Sequence, residues 1–173
     1  MGCAGNSLSR VGQAQYGDVT EGISLLRGGL AAYRATGPEM WMAHYLDLLA
    51  VACEIAGQIA EGLTLSDEAL QVAERTGERW CAAELNRHKG QLLLPRGHSE
   101  AAEELYRKAL SISEEQGAKL WELRAAVSLA RLHHDQGRRA EARDLLALVY
   151  GWFTEGFNRA DLKEARALLD ELT

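Results

Sequence analysis

Proline is almost missing from this chain: 173 residues hold only Pro38 and Pro95. So few helix breakers leave room for long helices. Cysteine is scarce as well. Cys3, Cys53 and Cys81 are odd in number and form no C-x-x-C pair, which excludes a disulfide framework and a zinc ribbon. Cys53 lies in an apolar helical run and reads as a small core residue, and the compartment expected is the reducing cytoplasm. No uninterrupted apolar run reaches the roughly 18 residues of a membrane span. The opening MGCAGN has neither the charged nor the apolar region of a signal peptide. Asn6 stands where a myristoylation signal needs Ser or Thr. Cations are the minority, 19 Lys and Arg against 25 Asp and Glu, for a net charge of −6. That is the wrong balance for a nucleic-acid partner. Strand-like alternation is missing throughout. With 47% apolar and 25% charged residues, the chain reads as one soluble, all-α domain.

Glycine carries the main signal. Gly17, Gly37, Gly57, Gly77, Gly97, Gly117 and Gly137 recur every 20 residues, and each fits the end of a helix of about 17 residues. Other residues recur every 40: Leu25, Leu65, Leu105 and Leu145; Gly22, Gly62, Ala102 and Ala142; Gly29, Ala69, Ala109 and Val149; and, in the intervening helices, Ala50, Gly90 and Ala130. Two kinds of helix therefore alternate, and the unit is a 40-residue helical hairpin. The Leu series lies between two small sets on one helical face, where close backbones could bury it. Each hairpin needs a neighbour to finish its core.

The expected helices run near 7–16, 18–36, 39–56, 58–76, 78–94, 98–116, 118–136, 138–154 and 160–172. Pro38 suits a first helical turn, Asp18 with Glu21 has capping-box spacing, and Pro95 ends its helix before Arg96. Trp41, Trp80 and Trp121 each follow a hairpin glycine by three or four residues. They read as wedges packing the turns rather than as a ligand row. Trp152 and Phe153 are expected to pack under the last helix as a cap.

Catalytic and metal motifs are absent. There is no G-x-x-x-x-G-K-[ST] loop, no G-x-S-x-G, no G-x-G-x-x-G and no H-E-x-x-H. His133 and His134 are adjacent on a helix and so point about 100° apart. They read as packed or surface residues, and no metal or other cofactor is expected. His44 and Asp47, three apart, share a face. Glu100, Glu103 and Glu104 read as a solvated face, and Arg138, Arg139 and Arg143 as helix salt-pairing residues beside Glu141 and Asp144. The chain is not expected to be an enzyme.

The segment 97–110, GHSEAAEELYRKAL, resembles the second helix of a tetratricopeptide repeat, with Ala102, Tyr106 and Ala109 at the motif's small, aromatic and small positions and Gly90 in the preceding helix. The departure is length, 40 residues instead of the usual 34 or so. Longer repeats of this kind resemble those of maltose-type transcription activators. The resemblance implies a tetratricopeptide-like α-solenoid, a right-handed superhelix of antiparallel hairpins. Its phasing is a half-repeat at 1–37, repeats at 38–76, 77–116 and 117–155, and a capping helix at 156–173, all in one domain. The run from Lys119, KLWELRAAVSLARLHHDQGRRAEARDLLALVYGWFTEGFNRADLKEARALLDEL, is similar to the C-terminal repeat region of bacterial proteins in which a nucleotidyl cyclase or DNA-binding domain precedes an ATPase module. The chain holds neither domain. It begins inside a repeat, as a piece of a larger protein would.

First helices line the concave face of such arrays. Carried over repeat by repeat, the groove positions are His44, Asp47, Val51 and Glu54; Glu84, Arg87, Gln91 and Leu94; and Arg124, Val127, Arg131 and His134. The lining is polar and grows basic toward the C-terminus, which suits an acidic peptide or a chain-terminal carboxylate. The function expected is a non-catalytic protein-interaction or regulatory module. The alternatives are a small-effector sensor and a self-associating homodimeric adaptor.

Overall fold

A computed structural model describes residues 6–37 and 39–173, with side chains from Val19 onward. Cys3, the lipidation question and the place of Pro38 lie outside these residues. Eight α-helices account for most of the described chain, and no strand occurs among the described residues. They are α1 (Asn6–Ala35), α2 (Met42–Ile55), α3 (Ile59–Thr76), α4 (Ala82–Leu93), α5 (Ser99–Glu115), α6 (Lys119–Asp135), α7 (Arg139–Tyr150) and α8 (Ala160–Glu171).

The helices stop where the glycine spacing predicts. Gly57, Gly77, Gly97, Gly117 and Gly137 all take φ between 65° and 79°, a left-handed conformation in which a Cβ would clash with the backbone. Around four of them, Gly77 excepted, the chain closes Schellman turns. Gln58 N–H bonds Cys53 O at 2.8 Å, Ala118 N–H bonds Ser113 O at 2.9 Å and Arg138 N–H bonds His133 O at 2.8 Å. Pro95 ends α4 at Leu93 and sits in a short 3₁₀ turn, Leu94–Arg96, before Gly97.

Two expectations about the ends fail. Gly17 caps nothing: α1 runs unbroken through it, and Asp18 and Glu21 lie inside the helix rather than at a capped start. Glycine only permits a left-handed turn; one glycine inside a helix costs about 1 kcal/mol and is tolerated. At the other end α7 stops at Tyr150, four residues before the expected 154. The reason is local. Gly156, with φ 78°, falls one residue before the 20-residue register, and residues 151–159 form an irregular connection.

The chain divides into two compact units, Met1–Glu78 and Arg79–Thr173. In the first, α1 packs on α2 and α2 on α3, burying Ile23, Leu30, Leu46, Ala50, Cys53, Ala69 and Val72. Arg27–Glu61 at 2.6 Å and an Arg34–Glu68 ion pair tie α1 to α3. Leu25 does not join this core. It is 70% exposed, because α1 packs through the face that carries Ile23 and Leu30. Leu65, Leu105 and Leu145 are half-buried, so the Leu series marks the rim of the core rather than its floor.

In the second unit α4 packs on α5, α5 on α6 and α6 on α7, while α8 meets both α6 and α7. Ala102, Tyr106, Ala109, Leu123, Ala126, Ala130, Ala142, Leu146, Leu162 and Ala165 form one continuous core. The small residues at 40-residue spacing are buried here as the repeat requires: a Cβ placed on Gly90 would lie 2.6 Å from Cε1 of Tyr106.

Candidate partner-binding face

In the second unit α4, α6 and α8 each contribute to one line of charges. Glu84, on α4, is buried. Arg87, one turn on, donates Nε and Nη2 to its two carboxylate oxygens, both at 2.9 Å. This is a fork-to-fork geometry. Arg124 on α6 reaches back to Glu84 with Nη1 at 3.3 Å. It also reaches forward to Asp161 at the start of α8, with Nε to Oδ1 at 2.5 Å and Nη2 to Oδ2 at 3.4 Å. Two turns along α6, Arg131 pairs with Glu164 of α8 at 2.9 Å. His88 lies 3.7 Å from the Glu84 carboxylate.

Burial pushes the Glu84 carboxyl up, but the hydrogen bond from Arg87 and the charges of Arg87, His88 and Arg124 outweigh it and hold the group below the usual carboxylate range. Asp161 is held low chiefly by its hydrogen bond to Arg124. The same bond raises Arg124.

Glu84, Arg87, Arg124 and Arg131 are thus gathered on neighbouring helices, with Asp161 and Glu164 of α8 against Arg124 and Arg131. Gln91 is half-buried on α4, and His134 is exposed at the end of α6. Val127 leaves the groove set. It is 7% exposed and belongs to the hydrophobic core. In the first unit His44 is half-buried with its ring centre 6.0 Å from that of Tyr45, and Asp47 is buried.

Sequence reasoning missed the two α8 carboxylates. Glu164 was findable, since 84, 124 and 164 are in 40-residue register; the irregular connection before α8 hid it. Asp161 had no such signal.

A second cluster ties α5 to α6. Glu103 is buried, not solvated as expected, although Glu100 and Glu104 are exposed. Its carboxylate faces His133 Nε2 at 3.0 Å and Arg138 Nη1 at 2.9 Å, and it also pairs with Arg107. Burial raises this carboxyl, and the bonds from Arg138 and His133 bring it below the ordinary range. Arg138 pairs with Glu141 at 2.6 Å as well, the expected helix salt pair. The aromatic residues divide. Trp80 and Trp121 stack with ring centres 6.2 Å apart, whereas Trp152 does not pack under α8. It is 59% exposed; Phe153 alone of that pair lies against the core. No group of three or more His, Cys, Asp or Glu among the described residues could hold a metal ion, and none of their helices is long and apolar enough to cross a membrane.

Comparison with known proteins bears on the fold. A Tetratricopeptide repeat model matches residues 41–115. Among solved structures, BtubC (BKLC) from P. vanneervenii superposes with a TM-score of 0.72 at 17% identity, over 92% of this chain and 74% of that one. Two structures of the nearly identical TPR-like repeats of a protein described as a kinesin light chain, from Podosopora anserina, give 0.70 and 0.69 at 21% identity. They cover 95% of this chain and 81% and 82% of theirs. No curated protein matches the chain. The fold is therefore a tetratricopeptide-like helical solenoid. Repeats of this kind generally mediate protein–protein interaction.

Proposed function

We propose that the chain is a non-catalytic protein-interaction module whose second unit binds an acidic peptide segment across α4, α6 and α8. One observation carries this reading: Arg124 and Arg131, two groove positions, each already hold a carboxylate, Asp161 and Glu164, on the neighbouring helix. A face that holds carboxylates from its own chain in arginine forks has the donors to hold others. Binding then proceeds by exchange, an incoming carboxylate taking an arginine from α8. The side chains of Arg131 and Glu164 are about half exposed (55% and 48%), so this pair is weak enough to open. Gln91 and His134 are lesser contributors to this face, and His44 and Asp47 are proposed as separate contact residues of the first unit.

The similarity of the run 119–172 to bacterial cyclase- and ATPase-linked repeat regions supports a regulatory role. In this reading the module is the cytoplasmic signal-transduction arm of such a protein, and partner binding shifts its contacts with the attached domain. The coding sequence upstream of Met1 tests that part. In-frame continuation into further repeats and an ATPase or cyclase domain supports it, and a stop codon overturns it. The binding face is tested by fluorescence anisotropy with a fluorescein-labelled, glutamate-rich peptide ending in a free carboxylate. The double substitution Arg124→Ala with Arg131→Ala abolishes saturable binding if the assignment holds. Equal affinity in the parent and the double variant overturns it.

A further inference from the structure

The connection 151–159 between α7 and α8 is longer than any other in the second unit, and its composition is unusual for its place. Large apolar side chains exposed next to one another, unlike scattered ones, mark interaction sites. Here Trp152 is 59% exposed and Phe157 46%. Beside Trp152 a cavity of about 540 Å³ opens between this connection, the first turn of α6 and the start of α8, a size within the range of small-molecule sites. Leu120, Phe153 and Leu162 line its apolar part, and Trp152 forms a wall, its ring held edge-on by Phe153 at 5.4 Å between centres. The Lys119 ammonium sits 5.5 Å from the centre of the Trp152 ring.

Two charged side chains line the same cavity, Glu155 and Arg159. Neither makes a side-chain hydrogen bond or ion pair with another described residue. On the neighbouring helices Arg87 holds Glu84, Arg124 holds Asp161, and Arg138 holds Glu103 and Glu141. Gly156, at φ 78°, shapes the rim. A Cβ there would meet Arg159 Cδ and Leu162 Cδ1, both at 3.6 Å. An exposed anion, an exposed cation that also acts on Asp161 from a distance, an aromatic wall and an apolar floor are what a small zwitterion with an apolar side chain would need.

We propose that this cavity binds a free aromatic α-amino acid, its carboxylate on Arg159, its ammonium on Glu155, and its side chain against Leu120, Phe153, Leu162 and the Trp152 wall. The site adjoins the peptide-binding face, since Arg159 also acts on the Asp161 carboxylate. Its occupant would brace α8 against α6 and so couple a small effector to the α6–α8 contact.

Isothermal titration of the full chain with L-phenylalanine tests the assignment, with 3-phenylpropionate and phenethylamine as probes lacking one charge each. Saturable binding is expected for L-phenylalanine, weakened about tenfold or more for either probe, the effect of losing a charge-assisted hydrogen bond. Arg159→Gln should bind L-phenylalanine no better than phenethylamine, and Glu155→Gln no better than 3-phenylpropionate. Far-UV circular dichroism of the two variants should match the parent, since both residues are exposed. Absence of saturable heat with L-phenylalanine overturns the proposal. So does equal binding of the singly charged probes, or unchanged affinity in a folded Arg159→Gln or Glu155→Gln variant.

Discussion

Tyr106 lays its ring where the side chain of residue 90 would begin: a Cβ on Gly90 would come within 2.6 Å of Cε1 and 3.0 Å of Cδ1. Tyr106 is fully buried, so the ring has little room to retreat. Gly90→Ala should therefore destabilise the chain by about 1–3 kcal/mol through overpacking, although alanine is the better helix former. One repeat later the same two positions hold Ala130 and Leu146, both buried. The double change Gly90→Ala with Tyr106→Leu copies that natural pair. Urea denaturation of the two single variants and the double should reveal a favourable coupling of at least about 1 kcal/mol. Additive losses would mean that the ring does not set the residue at 90.

The glycines and the Gly90–Tyr106 pair show why so much of this fold was legible. A helix end that needs a left-handed residue selects glycine, and a close helix crossing selects a small residue, so both print themselves at fixed spacing. Charge–charge contacts leave no such mark. Glu103 looked like its neighbours Glu100 and Glu104, and only packing against α6 brings His133 and Arg138 to it. Asp161 was hidden because the 151–159 connection breaks the register. Gly17 misled for the opposite reason: the register continued through a place where the helix does not stop. Of the groove set, the polar members of α4 and α6 could be read from the repeat, but Val127, at an equivalent position, turned out to belong to the core.

Removing Glu103 should expose how much its cluster holds. Glu103→Ala leaves His133 Nε2 buried without its partner and strips Arg138 of one of its two carboxylates. A loss of about 2–4 kcal/mol is expected, that of a buried, hydrogen-bonded charge removed from its partners. Glu103→Gln, which keeps an acceptor, should lose less. Thermal unfolding by circular dichroism distinguishes the two. Equal and small losses would mean that the cluster is solvated and contributes little.

Acid should weaken the second unit. Glu84, Glu103 and Asp161 are all held below the ordinary carboxylate range in the folded chain. A depressed carboxylate contributes stability that is present above its unfolded pKa of about 4 and is lost as pH falls through the lower, folded value. Urea midpoints should therefore drop below about pH 4. For Glu84→Gln the midpoint should lie below the parent's at pH 7, and the two curves should converge in acid, where the parent's carboxylate is protonated too. Curves that stay parallel down to acid pH would show that Glu84 contributes nothing through its charge.

The claim that α8 and an incoming partner compete for the same two arginines has a direct test. Asp161→Asn with Glu164→Gln removes both internal competitors from Arg124 and Arg131 while leaving Glu84 in place. Anisotropy titration with the glutamate-rich peptide should then show tighter binding than in the parent chain, by about tenfold if each released arginine regains one charge-assisted bond. The gain should vanish when Arg124 and Arg131 are also replaced by alanine. Unchanged or weaker binding in the Asp161→Asn, Glu164→Gln variant would contradict the exchange mechanism and, with it, the assignment of this face as the partner site.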